Sequence, residues 1–163
     1  MTTIRNLQIL FVLIALVLLA GCGGQKLPDG MPQPVTCEIT VTQDGKPLEG
    51  AVVRLHSEEN HSWTAVGRTE ASGKAVIYTL DQYKGAVPGK YKVIVSKTET
   101  ETGVGVSSEE AQGRDTSLAS FALVEDVYGM ASTTTLAIEV AKGTPAHTVD
   151  VGKAVRIKID NQR

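Results

Sequence analysis

The stretch Val35-Thr36-Cys37-Glu38-Ile39-Thr40-Val41-Thr42-Gln43-Asp44-Gly45-Lys46-Pro47-Leu48-Glu49-Gly50-Ala51-Val52-Val53-Arg54-Leu55-His56 decides the fold. Over residues 35–42 the odd positions are apolar and the even ones polar, the period of a half-buried strand. Asp44-Gly45 is a strong turn signal, and Lys46–Gly50 continues the connection, with Pro47 fixing a bend. Residues 51–56 then read as a second strand. Cys37 falls on the apolar face of the first strand, where it acts as a small hydrophobe rather than a reactive thiol.

The period of two persists downstream. Residues 57–62 (SEENHS) form a polar loop, 63–69 a weaker strand, Ala71-Ser72-Gly73 a turn and 74–80 (KAVIYTL) a fourth strand. After Val87-Pro88-Gly89, residues 90–97 (KYKVIVSK) put Tyr91, Val93 and Val95 on one face. Residues 98–116 are polar, with Glu99, Glu101, Glu109 and Glu110, and read as an insertion that extends to residue 127. Residues 117–128 suit a short helix or a strand equally. Residues 133–141 share a face through Leu136, Ile138 and Val140, residues 146–151 form a short strand, and in 154–160 Val155, Ile157 and Ile159 alternate with Arg156 and Lys158. Short strands with regular turn signals predict an all-β domain over residues 35–160. The expected form is a seven- to eight-stranded Greek-key β-sandwich of the immunoglobulin-like kind.

Composition narrows the function. With 16 basic and 18 acidic residues the net charge is -2, too balanced for a field that gathers nucleic acid or anionic lipid. Aromatics are 4% of the chain, little material for base stacking or an aromatic sugar groove.

Upstream, residues 1–8 are polar with one cation, Arg5, and residues 9–20 (ILFVLIALVLLA) are uniformly apolar. A spanning helix needs about 20 apolar residues, so this run is short for a membrane anchor and suits the core of a secretory signal peptide. Its end, Leu19-Ala20-Gly21-Cys22, resembles the lipobox of bacterial lipoproteins at every position. The resemblance implies a signal peptide over residues 1–21 and a diacylglyceryl group on the Cys22 thiol. It further implies cleavage before Cys22, acylation of the new amino group, and palmitate-type anchoring by two or three chains, which holds firmly. Gly23 after the cysteine points to outer-membrane sorting. Residues 22–34, rich in proline and glycine and without an apolar period, read as a flexible tether that leaves the orientation of the domain free.

A second resemblance lies in the deciding stretch. Asp44-Gly45-Lys46-Pro47-Leu48-Glu49-Gly50-Ala51-Val52-Val53, then Thr69 with Gly73-Lys74, then Pro88-Gly89-Lys90-Tyr91-Lys92-Val93-Ile94-Val95, is similar to carboxypeptidase-regulatory-like and transthyretin-like domains. The likeness covers residues 35–97 and resumes loosely over 128–151. It implies a prealbumin-like sandwich, not an activity.

Chemistry-bearing groupings are sparse. His56 and His61 flank Glu58 and Glu59, but their spacing matches no metal motif, and a solvated loop explains them. Gly103-Val104-Gly105 lacks the strand–turn–helix context of a phosphate loop. Transthyretin-like hydrolases carry a C-terminal Tyr-Arg-Gly-Ser, whereas this chain ends Asp160-Asn161-Gln162-Arg163. The expectation is a non-enzymatic, lipid-anchored cell-envelope protein, without cofactor or metal. It would be held at the outer membrane or at the periplasmic face of a membrane through acylated Cys22. Its sandwich would serve as a structural or protein-interaction module for an envelope protein or surface polysaccharide. The alternative is a carbohydrate- or small-ligand-binding accessory lipoprotein, with Trp63 and Tyr83 as candidate ligand surface; a transthyretin-like hydrolase is a third reading.

Overall fold

A computed structural model describes residues 26–59, 62–101 and 119–159. The signal peptide, Leu19, Ala20, Gly21 and Cys22, the pair Asn60-His61, the glycines at 103 and 105, and Glu109-Glu110 lie outside the described residues.

The domain is all-β. Its strands are β1 (Glu38–Gln43), β2 (Lys46–Pro47), β3 (Val52–Ser57), β4 (Ala65–Arg68), β5 (Lys74–Val76), β6 (Tyr78–Thr79), β7 (Tyr83–Lys84), β8 (Gly89–Ser96), β9 (Thr98–Thr100), β10 (Ser120–Ala122), β11 (Ala137–Val140), β12 (Ala146–Asp150) and β13 (Ile157–Ile159). One 3-10 turn, Asp126–Tyr128, follows β10. Of residues 117–128, ambiguous in sequence, the described part from 119 onward divides into a strand and a helical turn.

One sheet has the order β12-β1-β2, with β5 also paired to β1. The second has the order β11-β8-β3-β4-β6-β7. Residues Cys37, Ile39, Val41, Ala75 and Val149 from the first sheet and Val53, Leu55, Ala65, Tyr91, Val93, Val95 and Val140 from the second form one buried cluster, the core of a β-sandwich. Tyr91, Val93 and Val95 share the inner face as the alternation requires. The closing strand β12 runs parallel to β1, with Thr42 opposite Asp150. There the Thr42 hydroxyl donates to Asp150 Oδ2 at 2.6 Å, and this bond, with the Gly152 N–H, holds the Asp150 carboxyl below its usual range.

The Asp44-Gly45 signal forms the expected tight hairpin. Gln43 pairs with Lys46, and both turn residues have positive φ (51° and 70°), the type I′ geometry that follows strand twist. Three buried hydroxyls are paired, whereas His147 Nε2 on β12 is buried with no hydrogen-bond partner among the described residues. The Tyr91 hydroxyl donates to the Val87 carbonyl at 2.6 Å, Thr79 Oγ1 to the Gly85 carbonyl at 2.9 Å, and Thr134 Oγ1 to the Val93 carbonyl at 2.9 Å.

The predicted strand over residues 74–80 is divided between the two sheets. β5 pairs with β1 and β6 with β4, and Ile77 between them is fully buried. Its N–H donates to the Cys37 carbonyl at 3.0 Å, and its carbonyl accepts from Gly85 N–H at 2.7 Å. One residue therefore bonds to both layers.

A third, small sheet, β13-β10-β9, lies outside this core. Gln43 Nε2 ties it to β1, donating to the carbonyls of Leu123 at 2.8 Å and Lys153 at 3.3 Å. On one face Arg156 stacks over Phe121, 3.5 Å from the ring centroid, and reaches Glu101 at 3.0 Å and Glu99 at 3.8 Å. On the other, Ile157 and Ile159 remain 43% and 37% exposed. Alternation here marks a strand with two chemically different faces, not a strand over the core.

The segment before β1 departs from its sequence reading. Composition suggests a free tether, yet from Lys26 onward the chain lies against the domain. The Tyr83 hydroxyl donates to the Lys26 carbonyl at 3.0 Å, Met31 is buried, and Val35 exchanges two backbone hydrogen bonds with Ala86, at 2.9 and 3.0 Å. A single apolar side chain and a short bridge suffice for this, and neither has a period for sequence reading to detect.

Two substitutions separate the contributions. The space around Gly45 is open, so Gly45→Ala costs only the left-handed backbone, about 1–2 kcal/mol. Ile77→Ala opens a cavity between the layers and is expected to cost about 2–5 kcal/mol. Urea unfolding of both variants checks the order, and equal midpoints would contradict the role given to Ile77.

Candidate functional site

The crossing at Ile77 shapes the surface above it. Because the chain leaves β4 for the other sheet, β6 covers only Ala65 and Val66 of β4, leaving Gly67 and Arg68 beyond the end of its pairing. The gap is a groove of about 490 Å³, lined by Val52, Val66, Gly67, Arg68, Glu70, Val76, Tyr78 and Asp81. This volume lies in the range of small-molecule sites, about 300–1,000 Å³.

The outer side of a strand is ordinarily polar, yet Val52, Val66 and Val76 stand there half-buried. They provide an apolar floor, and Tyr78, itself exposed, adds an aromatic side chain. Gly67 is required by a close approach: a Cβ at this position would lie 2.6 Å from the Val76 carbonyl oxygen. Charge is confined to one guanidinium and two carboxylates. Arg68 Nη1 donates to the Gly50 carbonyl at 3.0 Å, which fixes the guanidinium at one end. Asp81 is placed by a turn in which Leu80 and Asp81 both have positive φ (53° and 57°), secured by Leu80 N–H to the Thr64 carbonyl at 2.8 Å. The polar groups of the lining are the Arg68 guanidinium, the Glu70 and Asp81 carboxylates and the Tyr78 phenol.

The candidate ligand residues lie elsewhere on this sheet. Trp63 precedes β4 and Tyr83 lies in β7; both are half-buried and neither lines the groove. Tyr83 spends its hydroxyl on Lys26. The sequence signal for the groove was the set of valines out of phase with the buried alternation: Val52 beside Val53, Val66 beside Ala65, and Val76 between Ala75 and Ile77.

Around His56 the charged groups find other uses. His56 is exposed on β3, and Glu58 pairs with Lys92 at 3.7 Å. Among the described residues no group of three or more His, Cys, Asp or Glu side chains is placed to hold a metal ion, and no helix is long and apolar enough to cross a membrane.

Cys37 is buried in the core. Desolvation, with the Glu38 carboxylate adding to it, pushes its thiol from 9.0 to about 11. Burial likewise raises the Tyr91 phenol to about 12. Both neutral forms are favoured by folding. Their contribution is complete below the unfolded values near 9 and 10 and is lost as pH rises through about 11 and 12. In a Cys22→Ala chain, iodoacetamide at pH 8 is expected to leave Cys37 unmodified in the native protein and to alkylate it in urea. Rapid native alkylation would show an accessible thiolate.

No protein-family model, curated protein or solved structure matches this chain.

Proposed function

We propose that this protein is a lipid-anchored cell-envelope protein whose β-sandwich is a non-catalytic interaction module. The carrying observation is the sequence Leu19-Ala20-Gly21-Cys22 at the end of an apolar run too short to span a bilayer. Acylated Cys22 is the membrane attachment, and the partner is an envelope protein or surface polysaccharide. The domain suits that role. Its core is closed, its buried thiol is held protonated, and its groove offers an apolar binding surface with a few polar groups. The resemblance of residues 44–53 and 88–95 to carboxypeptidase-regulatory-like domains agrees with the all-β fold and adds no activity.

The groove favours a second reading, a carbohydrate- or small-ligand-binding accessory lipoprotein. An apolar floor, one aromatic side chain and a few polar groups at the rim are the usual elements of such a site.

Growth with a palmitate analogue should label the wild-type protein and leave Cys22→Ala unlabelled; equal labelling of both would overturn the anchor. For the second reading, a response on a glycan array is expected to fall about tenfold or more in Tyr78→Ala, the loss of about 1.4 kcal/mol or more. A response indifferent to Tyr78 would remove the groove as its site.

A further inference from the structure

The segment between the anchor and the domain is shorter in effect than in sequence. If the chain were free up to its bridge at Val35, the 13 residue steps from Cys22 would reach about 45 Å. The structure instead holds the chain from Lys26. There the carbonyl accepts from Tyr83 on β7, Met31 is buried, and Val35 is bonded on both sides to Ala86. Only four steps separate Cys22 from Lys26, a reach of about 14 Å at full extension. The headgroup layer of one leaflet takes up about 6 Å of that.

We propose that the β6–β7 edge of the second sheet is the face this domain turns to the lipid surface, fixed there by the docked segment. The inference rests on the anchor reading above and adds an orientation to it. Attachment by connectivity is needed because charge does not provide it: Lys26 and Lys84 at this corner are offset by Asp29 and Asp81, so the corner has no net field for anionic lipid. The edge itself is short. β7 has two residues and pairs with β6 through Thr79 and Tyr83, so it offers little ladder to a protein strand and a blunt corner to a bilayer. β11 lies at the opposite edge, five strand spacings away, about 24 Å along the sheet. The outer-face groove opens beside the proximal edge, since Tyr78 and Asp81 line it. A partner seated there would meet the domain close to the membrane rather than at the far end of a flexible arm.

The test uses the full acylated chain in phosphatidylcholine vesicles carrying a headgroup energy acceptor. A donor dye is placed at Lys84→Cys on β7 or at Glu139→Cys on β11; both sites are exposed. The closest approach of the dye to the headgroups is expected to be shorter at position 84 by up to about 24 Å. Releasing the segment with Met31→Ser and Tyr83→Phe together is expected to bring the two approaches together. In the Cys22→Ala chain, kept in detergent without vesicles, the same pair of substitutions should speed tryptic cleavage after Lys26, which reports docking without a bilayer. Equal approach at both positions in vesicle-bound protein, or cleavage indifferent to the substitutions, would overturn the orientation and leave the anchor standing. Failure of the wild-type chain to float with vesicles would overturn the anchor itself.

Discussion

The architecture depends on one residue that belongs to both layers. Ile77 donates its N–H to Cys37 in the first sheet and offers its carbonyl to Gly85 beside β7, while its side chain fills the space between the layers. A strand that changes sheets covers an open side of the sandwich without an extra element, but it must leave its first neighbour to do so. Its departure creates the gap above Gly67 and Arg68, and Gly67 is the residue that lets Val76 come close enough for the switch. The closed core and the open groove are therefore two consequences of the same crossing. The same residue also supports the docked segment. Gly85 bonds to Ile77, and Ala86 next to it bonds to Val35.

Legibility in the sequence followed the range of the interactions. Residues 35–42 and 90–97 were readable because burial on one face imposes a local period, and Asp44-Gly45 because a type I′ turn demands two positive φ values from its own two residues. The crossing was not readable. Ala75, Ile77 and Thr79 are buried in unbroken alternation, since the inner faces of both sheets look at the same core and a strand can pass between them without losing phase. The parallel pairing of β12 with β1 joins segments more than 100 residues apart, and no local pattern carries it. Period also marks two faces without saying what covers them, as the exposed isoleucines of β13 show.

The groove and the docked segment were missed for opposite reasons. The groove did leave a signal, because valines in the outward phase cost solvation unless something shelters them. Such residues look like noise beside a strong alternation, and attention goes instead to the rarer Trp63. The docked segment left almost none. Prolines and glycines restrict or loosen a backbone without telling whether a neighbour receives it, and Met31 is one apolar side chain among polar ones.

The β6–β7 hairpin joins these features into one mechanical unit. Its outer side carries Tyr78 and Asp81 into the groove, Tyr83 holds Lys26, and Thr79 fastens the hairpin to itself through the Gly85 carbonyl at 2.9 Å. A buried hydroxyl paired to a buried carbonyl is costly to separate, about 1–3 kcal/mol for a group left unsatisfied, and this bond holds the two ends of the hairpin together. One short element therefore supplies both a wall of the groove and the point where the segment docks.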